Sequence, residues 1–221
     1  MKFTIVAATG GIGRQAVDQA LAAGHEVTAV VRNPRDLPAA VRTVRADLST
    51  ADPAAIESAV AGADAVLSGL GRRSPSDAGI AARGTGAIVA AMRSAGVRRI
   101  VVISASPVGT VASPGRPNPP RHDPGDGFVV RSVFAPLIKA ILREPYRDLA
   151  LMEDLLRDSG LDWTVVRPPR LVDKPATGRY RTAYGQNVRR GMFISRADVA
   201  HLMLRTLDDP ESVGHTVGVA Y

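Results

Sequence analysis

The residues best suited to chemistry in this sequence form a glycine-rich turn near its start. An apolar run from Phe3 to Ala8 leads into the turn, and a helical pattern begins within it at Ile12; the spacing fits G-x-x-G-x-x-G with Ala7 in the first glycine's place. Without Cβ atoms, glycines let a phosphate approach backbone amides, which lack partners at the start of a helix. The pattern favours a dinucleotide site over a tight turn that binds nothing. The residues expected to hold the pyrophosphate are Thr9, Gly10, Gly11, Ile12, Gly13 and Arg14.

A basic residue stands where a second strand ends. Val27 to Val31 is predicted to be that strand, and Arg32 follows it, with Arg35 close behind. In a βαβ dinucleotide fold this position lies beside the adenosine ribose, where an acidic residue would bind the free 2′-hydroxyl of NAD. A guanidinium instead suits the 2′-phosphate of NADP. We therefore expect NADP(H) as the cofactor, the alternative being that Arg32 is only a solvated strand end.

Two further strand ends carry residues that would meet the same cofactor. Asp47 and Leu48 follow a predicted strand at 41–46 and would rest against the adenine edge. A glycine turn follows a predicted strand at 65–68 and either admits the pyrophosphate or ribose or is only a turn. The residues of that turn are Gly69, Leu70, Gly71 and Arg72.

Helical patterns alternate with these strands, at 12–23, 52–62 and 79–95, and a fifth strand is predicted at 99–103. Such alternation predicts an α/β fold with a doubly wound, Rossmann-like parallel sheet, whose ligands bind beyond the carboxyl ends of the strands. The length of 221 residues fits a single domain, residues 1–221. We expect a small substrate-side extension, formed by an irregular loop at 107–127 and segments at 128–145 and 167–194.

The regular alternation stops at Pro107, because the six prolines between there and Gly127 resist both helix and sheet. Loops of this length inside a compact domain are typically active-site covers or disordered segments. His122 and Asp123 lie within it, but one His beside one Asp is a poor metal site, so we expect both to be solvated. Further on, the predicted helices are 128–143, 146–159 and 196–207, and the predicted strands are 162–166 and 216–219. The residues expected to face the core from the helix at 146–159 are Leu149, Met152, Leu155 and Leu156.

Composition excludes several kinds of site. The sequence has no cysteine, which removes disulfides, thiolate metal sites and cysteine nucleophiles, and no metal site is expected. The net charge is +7, but the arginines are scattered, which argues against a nucleic-acid partner. No apolar stretch is long enough to span a bilayer and Met1 leads directly into a strand, so we expect no membrane partner and a cytoplasmic location. We expect a monomer or homodimer that acts on a small-molecule substrate.

Six segments carry motifs that point to one family. They are ATGGIG at 8–13, VR at 31–32, MEDLL at 152–156, SGLDWTVVRPP at 159–169, TGRY at 177–180 and SRADVA at 195–200. With these motifs the sequence resembles the atypical short-chain dehydrogenases/reductases of the NmrA-like kind, in particular those similar to biliverdin reductase B, a flavin reductase. The likeness covers nearly the whole chain except 107–145, where this sequence is longer and different.

The resemblance implies an NADP(H)-binding Rossmann fold without a Tyr-x-x-x-Lys catalytic pair. The sequence agrees, since the residue four positions after Tyr146 is Ala150. In biliverdin reductase B a serine follows the fifth strand and a histidine lies on the next long helix; Ala105 and Glu153 stand in these places here. The residues that the resemblance places beside the nicotinamide are Arg167, Pro168, Pro169 and Arg170.

Three residues are candidates for catalysis. Ser104 and Ser106 end the fifth strand, where they would face substrate or satisfy local backbone groups. Glu153 would orient substrate or relay a proton, or else form a solvated ion pair with neighbouring arginines, which is the interpretation that its residue type favours. The whole pattern predicts a reductase that passes a hydride from NADPH to a flavin, a quinone or another conjugated small molecule. The alternative is an NmrA-like protein that senses NAD(P) without turnover.

Overall fold

Strands and helices alternate along the part of the chain that the computed structural model describes, which is residues 1–34, 37–49, 52–72, 74–127 and 142–221. The strands are β1 (Lys2–Val6), β2 (Glu26–Val31), β3 (Arg42–Arg45), β4 (Ala65–Ser68), β5 (Arg99–Ile103), β6 (Asp162–Arg167), β7 (Arg170–Val172), β8 (Arg181–Tyr184), β9 (Phe193–Ser195) and β10 (His215–Ala220). The helices are α1 (Gly11–Ala22), α2 (Pro53–Val60), α3 (Ile80–Ala95), α4 (Arg143–Arg157) and α5 (Arg196–Arg205).

Eight of these strands form one sheet in the order β3-β2-β1-β4-β5-β6-β10-β8. Neighbouring strands are parallel except β10 and β8, which pair antiparallel, and β7 and β9 form a separate parallel pair. The carboxyl ends of β1 to β6 therefore share one edge, here called the rim. The strand order reverses direction at β1 and β4, which is where sheets of this kind bind ligands. The predicted α/β, Rossmann-like parallel sheet is confirmed.

The helices cover both faces of the sheet and enclose two hydrophobic clusters. Successive residues of β1 point to opposite faces of the sheet. Ile5 packs with residues of α1 and α5 on one face, and Val6 packs with residues of α2, α3 and α4 on the other. All four residues of β4 are buried, as expected of a parallel strand covered on both faces. Within the described ranges, no helix is long and apolar enough to cross a membrane.

Two buried polar residues fix where helices begin. The Ser195 hydroxyl accepts a hydrogen bond from the Asp198 amide at 2.9 Å, which is the predicted cap of α5. The start of α3 is capped from another helix, because the Asp148 carboxylate of α4 accepts hydrogen bonds from the amides of Ala81 and Ala82 at 3.0 and 2.9 Å. This contact ties the start of α4 to the start of α3.

The helix predicted at 146–159 differs from the sequence expectation. It begins earlier, at Arg143, and ends at Arg157, since Pro145 lies in the first turn, where proline is tolerated. Leu155 does not face the core but is 41% exposed, because α4 turns Glu153 and Asp154 inward instead. The helix predicted at 128–143 falls almost entirely on residues 128–141, outside those described.

Candidate cofactor site and active site

The glycine-rich turn between β1 and α1 closes around the backbone of Ala7. This alanine has a φ of 57°, a left-handed conformation that glycine takes most easily. Its carbonyl accepts a hydrogen bond from the Gly10 amide at 2.8 Å, and a Cβ on Gly13 would collide with the same carbonyl. In the described part of the chain no side chain caps the start of α1, which leaves its first amides for an anion.

A cavity of about 250 Å³ opens beside this turn, at the carboxyl ends of β1 to β4. Its lining residues that the sequence predicted are Thr9, Arg32, Asp47, Leu48, Leu70 and Gly71. Its other lining residues are Ala7, Val30, Val31, Asn33, Ala46, Asp77 and Ile80. The mixture of strand-end backbone, aliphatic walls and three charged side chains is typical of a nucleotide pocket.

Three other predicted cofactor residues lie around the cavity without lining it. The position of a Cβ on Gly69 would be 3.4 Å from the Gly13 amide nitrogen, so Gly69 lets the β4 turn approach α1 closely. Arg14 donates from Nε to both carboxylate oxygens of Asp18, one turn along α1. Arg72 is exposed and donates to the carbonyl of Ser74 at 3.0 Å.

The Arg32 guanidinium, at the end of β2, is paired with an acidic residue that sequence reasoning missed. Its Nη1 donates to Asp77 Oδ1 at 3.0 Å; the Asp77 side chain is 7% exposed and that of Arg32 is 51% exposed. Asp77 ends a 3₁₀ turn over the cavity and also accepts hydrogen bonds from the amide and hydroxyl of Ser74 at 3.1 Å. The capping-box spacing Ser74-x-x-Asp77 was the local signal, but it gave no sign that Arg32 lay opposite.

Asp47, at the mouth of the cavity, is held as a carboxylate. The hydroxyl and the amide of Ser49 donate to it at 2.7 and 2.9 Å, and these hydrogen bonds hold the pKa of Asp47 below its usual value. Among the residues that the structure describes, the charged ones that line the cavity are one cation, Arg32, and two anions, Asp47 and Asp77. These described side chains carry charges of both signs.

Two of the candidate catalytic residues form a buried network at the carboxyl ends of β5 and β6. The Ser104 hydroxyl donates to Glu153 Oε1 at 2.7 Å, and Arg167 Nε donates to the same oxygen at 2.9 Å while its Nη2 binds Oε2. Ser104 is 5% exposed, Glu153 1% and Arg167 3%. The expectation of a solvated ion pair at Glu153 is wrong, because α4 packs this carboxylate under the rim rather than against water. The Arg167 side chain, expected beside the nicotinamide, points inward to the Glu153 carboxylate.

Ser106, the third candidate, lies nearer the surface of the same rim. It is half-buried, and its hydroxyl donates to the carbonyl of Arg167 at 3.3 Å. Its amide donates to the carbonyl of Pro168 at 3.0 Å, so the chain after β5 runs beside the chain after β6. Pro169 is half-buried and Arg170 is exposed at the start of β7. The rim thus brings together Ser106 and the proline pair predicted to border the nicotinamide.

The proline-rich loop at 107–127 is fastened to the body of the protein. The Ser113 hydroxyl and the Gly115 amide donate to Asp154 at 3.0 and 2.9 Å. Burial acts to raise the pKa of Asp154, but these bonds and the one from Arg157 outweigh it and hold the pKa below its usual value. The predicted solvation of this loop is correct for the exposed His122.

Asp123, in the same loop, was expected to be solvated, and that expectation is wrong. The residue is 5% exposed, and its Oδ1 accepts hydrogen bonds from the amides of Gly125 and Asn187 at 2.9 and 2.8 Å. A Cβ on Gly125 would collide with the Asn187 carbonyl, so the two segments meet at backbone distance. Among the described residues no group of His, Asp and Glu could hold a metal ion.

Two tyrosines, Tyr146 and Tyr184, are weaker acids than an unperturbed phenol. Tyr146 lies in the first turns of α4, and burial raises its pKa. The side chain of Tyr184, on β8, donates to Asp209, and this hydrogen bond raises its pKa to about 12. Both shifts keep the phenol protonated and make it a weaker acid, opposite to what proton donation near neutral pH requires.

A match to a family profile shows which protein family the glycine-rich turn belongs to. The profile of a family described as NAD(P)H-binding matches residues 7–210, which runs from the glycine-rich turn to Pro210, the first residue of the chain's last 3₁₀ turn. The chain belongs to this NAD(P)H-binding family. Its members bind a nicotinamide dinucleotide, which carries the hydride in oxidation and reduction.

Solved structures of proteins from other organisms share the fold. A protein of Burkholderia pseudomallei described as exported is 29% identical, with 100% of both chains covered and a TM-score of 0.71. A protein of Streptococcus pneumoniae named as an NADH-flavin reductase is 23% identical, with 100% of this chain and 99% of that chain covered and a TM-score of 0.75. An anaerobilin reductase of Escherichia coli O157:H7 is 22% identical, with 99% and 97% covered and a TM-score of 0.71.

The geometry of this NAD(P)H-binding chain fits such a cofactor. The uncapped start of α1 suits a pyrophosphate, and the close approach at Gly13 keeps side chains out of its way. The cavity of about 250 Å³ has the aliphatic walls that an adenine needs and reaches the end of β2, where a ribose would lie. Ser104 to Ser106 and Pro168 stand further along the same rim, on the side that remains for the nicotinamide.

Proposed function

We propose that this chain is an NADPH-dependent reductase that transfers a hydride to a flavin, a quinone or another conjugated small molecule. The observation that carries the proposal is the continuous rim, on which a phosphate turn, an adenosine-sized cavity and the Ser106–Pro168 pair follow one another. When bound, the nicotinamide supplies the hydride. The chain's own part is to hold the dinucleotide, orient its ring and exclude water.

The choice of NADPH rests on Arg32. A guanidinium at the end of β2 can bind a 2′-phosphate with two hydrogen bonds, and nothing comparable is available to the 2′-hydroxyl of NADH. Asp77 opposes this choice in part, because its carboxylate competes for Arg32 and repels a phosphate. The exposed half of the Arg32 side chain leaves room for a phosphate on the solvent side of the pair. We therefore propose a preference for NADPH that Asp77 moderates.

The proposed reductase chemistry is supported by the lack of a well-placed proton donor in the described part of the rim. Glu153 is bound by Ser104 and Arg167 on both of its oxygens, so it is poorly placed to give or take a proton. No Tyr-x-x-x-Lys pair is present in the sequence. A flavin or quinone acceptor needs little help from a protein acid, so this rim suits it better than a simple ketone. Ser106 is the hydroxyl available to orient the substrate, with Ser104 and Glu153 as positioning residues behind it.

A second candidate is a sensor of the NAD(P) pool that passes its signal to a protein partner. The observation in its favour is a pair of exposed apolar side chains at the start of β9, Met192 at 58% and Phe193 at 40% exposed. Exposed apolar groups of this kind often mark protein contacts. In either role we propose a cytoplasmic protein, monomer or homodimer, whose ligand is a small molecule rather than nucleic acid.

The test is NADPH oxidation by the purified protein against a panel of flavins, quinones, biliverdins and enones. We expect turnover with at least one acceptor, and a lower KM for NADPH than for NADH. A protein that binds NADPH tightly yet reduces nothing in the panel, and that captures one defined partner in a cofactor-dependent manner, would instead be the sensor. Shortening the loop between residues 110 and 124 separates the two further, since it should change KM or kcat for the acceptor while NADPH affinity stays nearly intact.

A further inference from the structure

A second arginine lies against the phosphate turn. Arg196 is the first residue of α5, a helix that packs on α1. A Cβ on Gly11 would lie 2.6 Å from Arg196 Cδ and 2.9 Å from its Nε. The far end of the guanidinium, Nη1, donates to Asp173 Oδ1 at 2.7 Å. The charge of Arg196 therefore stands next to the first residue of α1.

We propose that Arg196 binds the pyrophosphate of the nicotinamide dinucleotide together with the first amides of α1. The inference rests on the proposed function for its ligand, but it concerns a residue that neither the glycine motif nor the cavity contains. It makes α5 a second wall of the phosphate site. The ligand chemistry is a diphosphate ester, held by a guanidinium on one side and by helix amides on the other.

Electrostatics favour an anion at this place. The start of α1 carries the positive end of a helix dipole, so a guanidinium beside it is in an unfavourable position unless a negative charge lies between them. Asp173 supplies only part of that charge, because its side chain is 87% exposed and its ion pair with Arg196 is weakened by water. A pyrophosphate at the uncapped helix start would meet both positive groups at once.

The backbone holds Arg196 where this contact needs it. The Gln19 side chain of α1 donates to the carbonyl of Ala197 at 2.9 Å, and the neighbouring Ser195 caps α5, so the root of the arginine is fixed from both sides. The side chain is 31% exposed, which leaves the guanidinium open to a ligand from the rim.

The same contact explains the glycine at position 11. Gly11 lies within α1 and does not have a positive φ, so its backbone conformation is open to any residue. What a side chain there would meet is Arg196. Glycine at this position leaves room for the arginine, whereas glycine at position 13 allows the close approach to Ala7.

The experiment measures the affinities of three ligands by isothermal titration calorimetry: NADP⁺, ADP-ribose and adenosine 2′-monophosphate. The last has no pyrophosphate. We expect Arg196→Gln to weaken NADP⁺ and ADP-ribose by about tenfold to a hundredfold and to leave adenosine 2′-monophosphate unchanged. Arg196→Lys should recover part of the loss, and Gly11→Ala should act in the same direction as Arg196→Gln by displacing the arginine. Asp173→Asn is the matched control, which breaks the same ion pair but should not weaken any of the three ligands.

The outcomes are separable. If NADP⁺ binds Arg196→Gln as tightly as the unmodified protein, at an equal melting temperature, the role of Arg196 is wrong and the proposed function stands. If all three ligands weaken equally, or if Asp173→Asn matches Arg196→Gln, Arg196 acts through the fold and the inference is also wrong. If the unmodified protein binds neither NADP⁺ nor ADP-ribose, the proposed function itself fails.

Discussion

The two ends of the rim use charge in opposite ways. At the end of β2, Arg32 and Asp77 meet over an open cavity, and half of the arginine side chain remains in water. At the ends of β5 and β6, Glu153 and Arg167 meet under the surface, both almost fully buried. The first pair can open for a ligand at little cost, whereas the second cannot open without burying an unpaired charge. The adenosine end is thus built for selection, and the nicotinamide end for rigid placement.

The largest effect should come from breaking the buried pair. Glu153→Gln removes the described counter-ion of Arg167 and also the 3.5 Å ion pair of Glu153 with Arg157, and we expect the free energy of unfolding to fall by about 3–5 kcal/mol in a urea titration. The matched control is Asp162→Asn, which removes an exposed ion pair with Arg98 and should leave stability nearly unchanged. Equal losses in the two variants would contradict the contrast between the two ends.

Removing the open pair's cation should affect binding rather than stability. Arg32→Gln should reduce the preference for NADPH over NADH by about tenfold to a hundredfold, since a charge-assisted hydrogen bond to phosphate contributes roughly 1.5–3 kcal/mol. The measurement is the dissociation constant of each cofactor by fluorescence titration. The control is Arg45→Gln. Arg45 lines an adjoining hollow that it shares with Arg32 but does not line the cavity itself, so its loss should have a much smaller effect. Equal affinities for the two cofactors in the unmodified protein would show that Arg32 does not select.

Removing the anion of the same pair should have the opposite and smaller effect. In Asp77→Asn the amide oxygen can still accept from Ser74, but Arg32 is released and the repulsion of a 2′-phosphate is gone. We expect NADPH to bind about two- to fivefold tighter and NADH to bind as before, because an ion pair whose arginine side chain is 51% exposed is worth under about 1 kcal/mol. A gain for both cofactors, or for neither, would mean that Asp77 does not moderate the choice.

The smallest effect is expected at Tyr146. Burial raises the pKa of its phenol, and the sequence offers it no partner lysine, so we expect Tyr146→Phe to keep NADPH turnover within about tenfold of the unmodified protein. Steady-state kinetics with the best acceptor of the panel provide the measurement. A thousandfold loss of kcat, with unchanged folding and NADPH affinity, would show that Tyr146 acts as the general acid.

The sequence predicted the parts of this molecule that local chemistry determines. The glycine turn at 7–13, the strands of the rim and the cap at Ser195 each carry their signal within a few neighbouring residues, and the structure contains each of them. The place of Arg32 in the fold was predictable because it directly follows the end of a strand.

Pairs formed across the fold were not predictable in this way. Arg32 meets Asp77 because the turn after β4 folds over the end of β2, and Arg167 meets Glu153 because α4 packs under β6. The spacing of residues along the chain does not predict either ion pair. The exposure of Leu155 has the same origin, since its apolar character suggested a core position that two charged neighbours in fact occupy.

The link between Asp123 and Asn187 also bears on the order in which the protein folds. The two residues are 64 positions apart, and the chain between them includes α4 and β6, so their hydrogen bond can form only after those elements have docked. We therefore expect the loop at 107–127 to dock late in folding and to detach early in unfolding. Hydrogen exchange at the Asn187 amide reports that event directly, because this one proton is protected by the loop rather than by a strand of the sheet.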